Sequence, residues 1–427
     1  MEELLHDDTL AIHHGYDTSE AKLAIGVPIF QSNSFEFENA AHAAAMFNLE
    51  RPGHIYSRLS NPTNEVLEQR LTRLERAEAT VCVASGSAAV SYAISNIVRP
   101  GDNIITFEQL YGATYTYVRH LLPSMGVETR FALGDAASDV VPLIDARTRC
   151  IYCESITNPG GRIHDIATLG SVAEDARLPL IVDNTVASPA LIKPIEYGAS
   201  VVVASLGKFI GGHGAALGGA ITDSGRFEWR KNADAFPMLT RPEPAYHDVC
   251  YVEQSGRAAF AARCRTVALR NTGAALSPFN AFMILQGLHT LQLRIARHSE
   301  NAKKLVEFLT THRAVASVES VGLPDHPQNE RALRYLDGRY PSLFAFRVKG
   351  GFSCAAEFYD RLQLCKRMIN VGDVRTNVCH PASTTHRQLT DAELDRAGIS
   401  PDMIRVCVGI ENAEDIIRDF DRALIAA

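Results

Sequence analysis

The stretch LPLIVDNTVASPALIKPIEYGASVVVASLGKFIGGHG, residues 178–214, holds two apolar runs of strand length. The first closes on Asp183, and the second is followed by Lys208, twenty-five positions further on. Apolar runs without alternation read as strands buried on both faces, which is the pattern of a parallel sheet covered by helices. The spacing leaves room for a helix and one further strand. Working outward, NIITF, VETRFAL and RCIYCES precede these runs, and helix-like SAAVSYAISNIV and DIATLGSVAEDAR lie between them. The alternation from about residue 65 to 225 predicts an α/β unit built on a mainly parallel central sheet. Turn-rich PIFQSNSFEF and RPGHIYSRLSNPTN predict an extended N-terminal arm over 1–62 instead of a compact unit. The large α/β domain is then assigned to 63–275 and a smaller C-terminal α+β domain to 276–427. A long amphipathic helical pattern, Leu285 to Leu309, leads into that domain, with strands expected at SLFAFRV and MIRVCVGI.

A chain of 427 residues, 46% hydrophobic and 21% charged, excludes a disordered segment or a disulfide-stapled mini-protein. The net charge of −7 and the lack of a Lys/Arg-rich run argue against nucleic acid as a partner. The opening MEELLHDDTLAIHHGYD is acidic, and no uncharged apolar run approaches 18 residues, so a cytoplasmic protein without a membrane span is expected. Nine scattered cysteines fit reduced thiols, and the lone CxxC, Cys150 and Cys153, reads as buried structural thiols, with no metal site expected.

Several familiar motifs fail on inspection. In GGHGAALGG the third glycine of a dinucleotide fingerprint would fall at Leu217, and a Walker loop ending at Gly207-Lys208 would need glycine at Val202. Neither Ser85 nor Ser205 has the preceding glycine of a hydrolase elbow, because Val83 and Val203 stand there.

What remains is a set of polar residues at strand ends, where open α/β sheets bind ligands. Ser85-Gly86-Ser87 opens a helix and is either a plain cap or a phosphate cup. Asp183 is either a cap or the partner of a charged ligand group, since a carboxylate at an apolar strand end calls for a cation. Lys208 is either a snorkelling lysine or an amine with a lowered pKa, suited to act as a nucleophile. Together they meet the needs of pyridoxal phosphate: an amine to hold it, an acid for its ring nitrogen, a cup for its phosphate and an aromatic face. Lys208, Asp183, Ser85-Gly86-Ser87 with Ser205, and Tyr111 in QLYGATY supply them.

At these residues the sequence resembles the Cys/Met-metabolism family of pyridoxal-phosphate enzymes, and most closely its O-acetylhomoserine sulfhydrylase branch. The resemblance runs from about residue 7 to 424 through YSRLSNPTNEVLEQRL, ASGSAAV, LYGATY, ESITNPGGRIHDI, VDNT, SLGKFIGGHG, TGAALSPFNAFMILQGLHTLQLR, NVGD, HPASTTHRQL and IRVCVGIE. It implies the type I pyridoxal-phosphate-dependent transferase fold, a homotetramer of catalytic dimers, an amino-acid substrate and γ-substitution on O-acetyl-L-homoserine, with acetate leaving and sulfide or a thiol adding at Cγ. By the same resemblance Lys208 would bind the cofactor and act as the mobile acid/base. Asp183 would pair with the ring nitrogen, Asn158 would lie near the ring hydroxyl and Tyr111 would stack on the ring. Ser85, Gly86, Ser87, Thr185 and Ser205 would form the cofactor cup, joined by Tyr56 and Arg58 of a neighbouring subunit. Arg405 would clamp the substrate carboxylate, with Asn158, Tyr56 and Thr376 also at the substrate.

Two positions and one loop depart from the pattern. Gly207 stands where relatives carry Thr, Ala215 also replaces Thr, and the usual VGDAKSL reads Val371-Gly372-Asp373-Val374-Arg375-Thr376-Asn377. Loss of one hydroxyl donor at 207 predicts weakened cofactor binding, by about 0.5–1.5 kcal/mol. The altered loop admits a carbon acid as nucleophile in a specialised pathway. A γ-lyase, or a silent cofactor-binding relative, are the other readings.

Overall fold

In the computed structural model, which describes residues 5–385, 387, 394 and 398–425, the large domain carries a seven-stranded sheet in the order β1-β7-β6-β5-β4-β2-β3. The strands are β1 (Ala79–Val83), β2 (Asn103–Phe107), β3 (Glu128–Ala132), β4 (Thr148–Glu154), β5 (Leu180–Asp183), β6 (Val201–Ser205) and β7 (Gly219–Asp223). Strands β2 to β6 pair in parallel, as their apolar runs predict. Strand β7, which the sequence reading does not name, runs antiparallel between β1 and β6 and starts at the end of the glycine-rich run. A Cβ at Gly219 would sit 2.1 Å from the Ser85 carbonyl oxygen, so the strand begins on a residue with no β-propensity of its own.

The smaller sheet has the order β10-β11-β12-β9-β8. Its strands are β8 (Val315–Glu319), β9 (Leu343–Val348), β10 (Lys366–Arg367), β11 (Asn377–Cys379) and β12 (Met403–Cys407). The two strands expected from SLFAFRV and MIRVCVGI are β9 and β12, and they pair antiparallel with Arg405 opposite Ala345. Phe346, Phe358 and Phe420 stack this sheet against helices Gly351–Arg361 and Ala413–Ile425, with ring centroids 5.4–6.1 Å apart. Among the described residues no helix is long and apolar enough to cross a membrane.

Two details differ from the sequence reading. The first sixty residues are not all arm: helix Asp7–His13 buries Leu10 and Ala11 in the large-domain core, while residues 15–60 remain mostly exposed. The amphipathic run is two helices, Pro278–Leu288 and Leu291–Thr311, broken at His289 and Thr290. The break leaves the Gly287 carbonyl to Arg294, which donates to it at 2.7 Å and to the carbonyls of Phe209 and Ile210 at 2.7 and 3.0 Å. Arg294 is buried, and burial pushes its guanidinium down to about 10, yet among the described residues no carboxylate pairs with it. Its donors are spent on the segment that follows Lys208.

Leu285, Leu288, Leu291 and Ile295 belong to the large-domain core, and Ala302, Leu305, Val306 and Leu309 to the C-terminal core. Helix Leu291–Thr311 thus crosses from one core to the other. Helix Pro278–Leu288 lies so close to the Lys208 segment that a Cβ at Gly287 would fall 2.0 Å from the Gly211 carbonyl oxygen. Gly287→Ala should therefore destabilise the protein by about 1–3 kcal/mol through overpacking, read as a lowered urea midpoint with an unchanged slope.

Candidate active site

The carboxyl edge of the large sheet gathers most of the expected residues. Ser85 ends the turn after β1 and caps helix Gly86–Ser95, its hydroxyl accepting the Ala88 N–H at 3.2 Å. A Cβ at Gly86 would meet Ser205 Cβ at 2.6 Å, so glycine lets the helix N-terminus close against the end of β6. The Ser205 N–H donates to Thr185 Oγ1 at 2.8 Å, and the Thr185 N–H donates to Asp183 Oδ1 at 2.9 Å. Ser85, Gly86, Ser205, Thr185 and Asp183 thus form one connected rim. The positive end of the helix faces it, suited to an anion.

Beside Asp183 stands a second acid that the sequence reading missed. The register of β4 and β5 places Glu154 opposite Asp183. Glu154 is 4% exposed, and its Oε1 and Oε2 accept the N–H groups of Tyr111 and Asn158 at 2.6 and 3.1 Å. The Tyr152 hydroxyl donates to Asp183 Oδ2 at 3.3 Å. Burial pushes both carboxyls above their ordinary range, and for Glu154 the neighbouring Asp183 adds to it. Among the described residues no basic side chain forms an ion pair with either acid. Two desolvated acids without a cation fit a ligand that brings a positive charge, such as a protonated pyridine ring. The argument that singled out Asp183, an acid closing an apolar strand, applies equally to Glu154 in RCIYCES.

The amine and the guanidinium meet through another residue without an expected role. Lys208 Nζ donates to Asn370 Oδ1 at 2.5 Å, while Arg405 donates from Nη2 to the Asn370 carbonyl at 3.0 Å and from Nη1 to Asn158 Oδ1 at 3.2 Å. Arg405 is buried and its Nε has no hydrogen-bond partner among the described residues, so it retains capacity for an incoming acceptor. Burial, reinforced by the Arg405 charge, lowers the Lys208 pKa, which favours the free amine. Only the NVGD motif pointed toward Asn370. Ser87, Tyr111, Asn158 and Arg405 line one cavity of about 830 Å³, with Leu121 and Ile369 among its apolar walls.

Three expected residues stand apart from this group. Tyr56 and Arg58 lie on the exposed arm, the guanidinium 5.3 Å from the Tyr56 ring centroid, and neither lines the cavity. Thr376 is fully buried: its hydroxyl donates to Glu411 Oε2 at 2.8 Å and accepts the Gly409 N–H at 2.9 Å. That hydroxyl is engaged inside the small domain. The 370–377 loop is strapped to the Lys208 segment instead, with Arg375 Nη2 donating to the His213 carbonyl at 3.0 Å and the Val374 N–H to the Gly212 carbonyl at 2.8 Å. Of the expected motif at 380–389, residues 386, 388 and 389 lie outside the described residues.

Gly207 proves to be more than a missing hydroxyl. A Cβ there would lie 2.5 Å from the Ala216 carbonyl oxygen, so this backbone has closed over the space that a threonine would need. Gly207→Thr is therefore expected to raise the dissociation constant for pyridoxal phosphate despite restoring a donor, measured by equilibrium dialysis of the apoprotein. A tighter constant would show that the loop opens freely.

Comparison with known proteins agrees with this geometry. A family profile described as "Cys/Met metabolism PLP-dependent enzyme" matches residues 8–425. The homocysteine synthase of Schizosaccharomyces pombe is 41% identical over 99% of this chain and 99% of its own. The O-acetyl-L-homoserine sulfhydrylase 1 of Thermus thermophilus is 41% identical over 98% of this chain and 99% of its own. A crystal structure from Campylobacter jejuni, assigned as an O-acetylhomoserine (thiol)-lyase and carrying a pyridoxyl-lysine monophosphate, superposes with a TM-score of 0.94 at 38% identity, covering 99% of this chain and all of that one. On the profile match and the full-length identity to these relatives, the chain belongs to the Cys/Met-metabolism family of pyridoxal-phosphate-dependent enzymes.

Proposed function

We propose that this enzyme replaces the acetoxy group at Cγ of O-acetyl-L-homoserine with sulfide or a thiol, releasing acetate. The observation that carries the reading is the meeting of Lys208 and Arg405 on Asn370, together with the adjacent acids Glu154, which is buried, and Asp183, which is half-buried. These contacts support a reading in which Lys208 is the base, Arg405 the carboxylate clamp and the two acids the partners of a cationic ring. The names of the relatives supply the substrate.

Pyridoxal phosphate, when bound, supplies an electron sink that acidifies Cα and then Cβ of the amino acid. Lys208, Asp183, Tyr111 and Asn158 would hold its ring end, and Ser85, Gly86, Ser87, Thr185 and Ser205 its phosphate. The protein's own part is positioning and proton transfer. Arg405 takes the substrate carboxylate with its planar, multiply donating guanidinium, and Asn158 turns its amide to the same carboxylate. Lys208, whose pKa desolvation lowers, takes the proton at Cα as the free amine and then moves one at Cβ. Asn370 Oδ1 is the acceptor on which the amine rests between these transfers. Acetate leaves Cγ with the bonding pair, and the nucleophile supplies the pair that replaces it.

The reading extends to assembly and compartment. A homotetramer of catalytic dimers, with Tyr56 and Arg58 of one subunit reaching the phosphate of the next, accounts for an arm that exposes Leu23, Ile25, Ile29 and Phe30. Nine free cysteines suit the reducing cytoplasm.

Purified enzyme incubated with O-acetyl-L-homoserine and a panel of sulfide, methanethiol and a carbon acid should release acetate and form homocysteine with sulfide, read by mass analysis. Absence of acetate release with every nucleophile overturns the reading, and 2-oxobutanoate without added nucleophile would reassign the enzyme as a lyase. Borohydride reduction should leave the pyridoxyl label on Lys208. Arg405→Lys should raise KM for the amino acid about 10- to 100-fold, the expected cost of losing a charge-assisted, multidentate contact.

A further inference from the structure

Glu154 does more in this structure than supply charge. Its two carboxyl oxygens serve two separate segments: Oε1 takes the N–H of Tyr111 at 2.6 Å and Oε2 that of Asn158 at 3.1 Å. Tyr111 follows β2, whereas Asn158 follows β4, and both lie beyond the ends of the ladder between these strands. Asn158 in turn takes Arg405 Nη1 at 3.2 Å, from β12 of the small domain. A single carboxylate therefore links the segment of the exposed aromatic ring to that of Asn158 and, through it, to the guanidinium, and all three residues line the same cavity.

We propose that Glu154 is a positioning residue, one that fixes the spacing between Tyr111 and the Asn158–Arg405 pair and thereby the tilt of the bound ring and amino acid against Lys208. The inference rests on the reading above that pyridoxal phosphate lies over Asp183 beneath Tyr111. The chemistry of the site requires a carboxylate of this length. Both backbone groups are donors, so the residue between them must present two acceptors. A glutamine offers one oxygen and one NH2, and its NH2 would confront an N–H, so one of the two segments loses its anchor. An aspartate keeps both acceptors but is one methylene shorter and cannot span the same pair. The fold does not depend on the side chain in the same way, because β4 is paired along its backbone with both β2 and β5.

The test compares holoenzyme variants Glu154→Gln and Glu154→Asp, with Asp183→Asn as a control on the underlying reading. Glu154→Gln should keep its far-ultraviolet spectrum and its cofactor content. It should lose at least about half of the visible circular dichroism of the bound cofactor, which reports ring orientation, and KM for O-acetyl-L-homoserine should rise about tenfold. Visible dichroism and KM within twofold of the parent, in either variant that folds and holds cofactor, overturn the proposal. Hydrogen exchange on the unmodified holoenzyme needs no variant: peptides carrying the Tyr111 and Asn158 amides should be protected, and free exchange at both overturns the proposal as well. If Asp183→Asn leaves the absorbance and dichroism of the cofactor unchanged, the placement of the ring fails, whatever the Glu154 variants show.

Discussion

The structure turns on the pairing of β4 with β5, which sets two carboxyl groups side by side at the end of a buried parallel sheet. An uncompensated acid in that position is costly, and two are costlier, because each raises the proton affinity of the other. The surrounding chain supplies N–H and O–H donors from Tyr111, Asn158, Thr185 and Tyr152 and, among the described residues, no ion-pairing cation. The missing charge is one that a ligand must bring. In the proposed function the other parts of the site would answer that deficit: the helix terminus would take a second, anionic end of the same ligand, the amine with its lowered pKa would attach it, and the guanidinium would take the substrate that joins it.

The approach of Lys208 to this centre is controlled by backbone closeness more than by side chains. Gly86 against Ser205, Gly219 against Ser85 and Gly287 against Gly211 are contacts that a single methyl group would block. Arg294 then ties the carbonyls of Phe209 and Ile210 to the start of the long helix, and Arg375 with Val374 ties Gly212 and His213 to the 370–377 loop. The lysine is thus carried by a segment gripped on one side by the large domain and on the other by the small one.

Much of this was legible in the sequence. Apolar strands that end in Asp183 and precede Lys208 announce a doubly covered parallel sheet and its carboxyl edge, and the motifs along the chain announce the family. What escaped did so for physical reasons. Strand β7 begins at a glycine selected for close approach, so it carries little strand propensity. Glu154 is hidden beside two cysteines in a run that reads as core, and Asn370 acts partly through its backbone carbonyl, which no side-chain pattern reports. Thr376 fits the family loop by position but points its hydroxyl at Glu411, a choice set by tertiary packing. Gly207 looks like a lost donor until the Ala216 carbonyl is seen to occupy the space.

The helix Leu291–Thr311 has a mechanical consequence. Its first turns are embedded in one core and its last in the other, so the two domains share a stiff rod in place of a flexible joint. Arg294 near one end grips the lysine-bearing segment, and Asn301 further along donates to the carbonyls of Gly409 and Glu411, just past the strand that bears Arg405. A shift of this rod would act on the segments that carry the amine and the guanidinium together, so a single element couples the two groups.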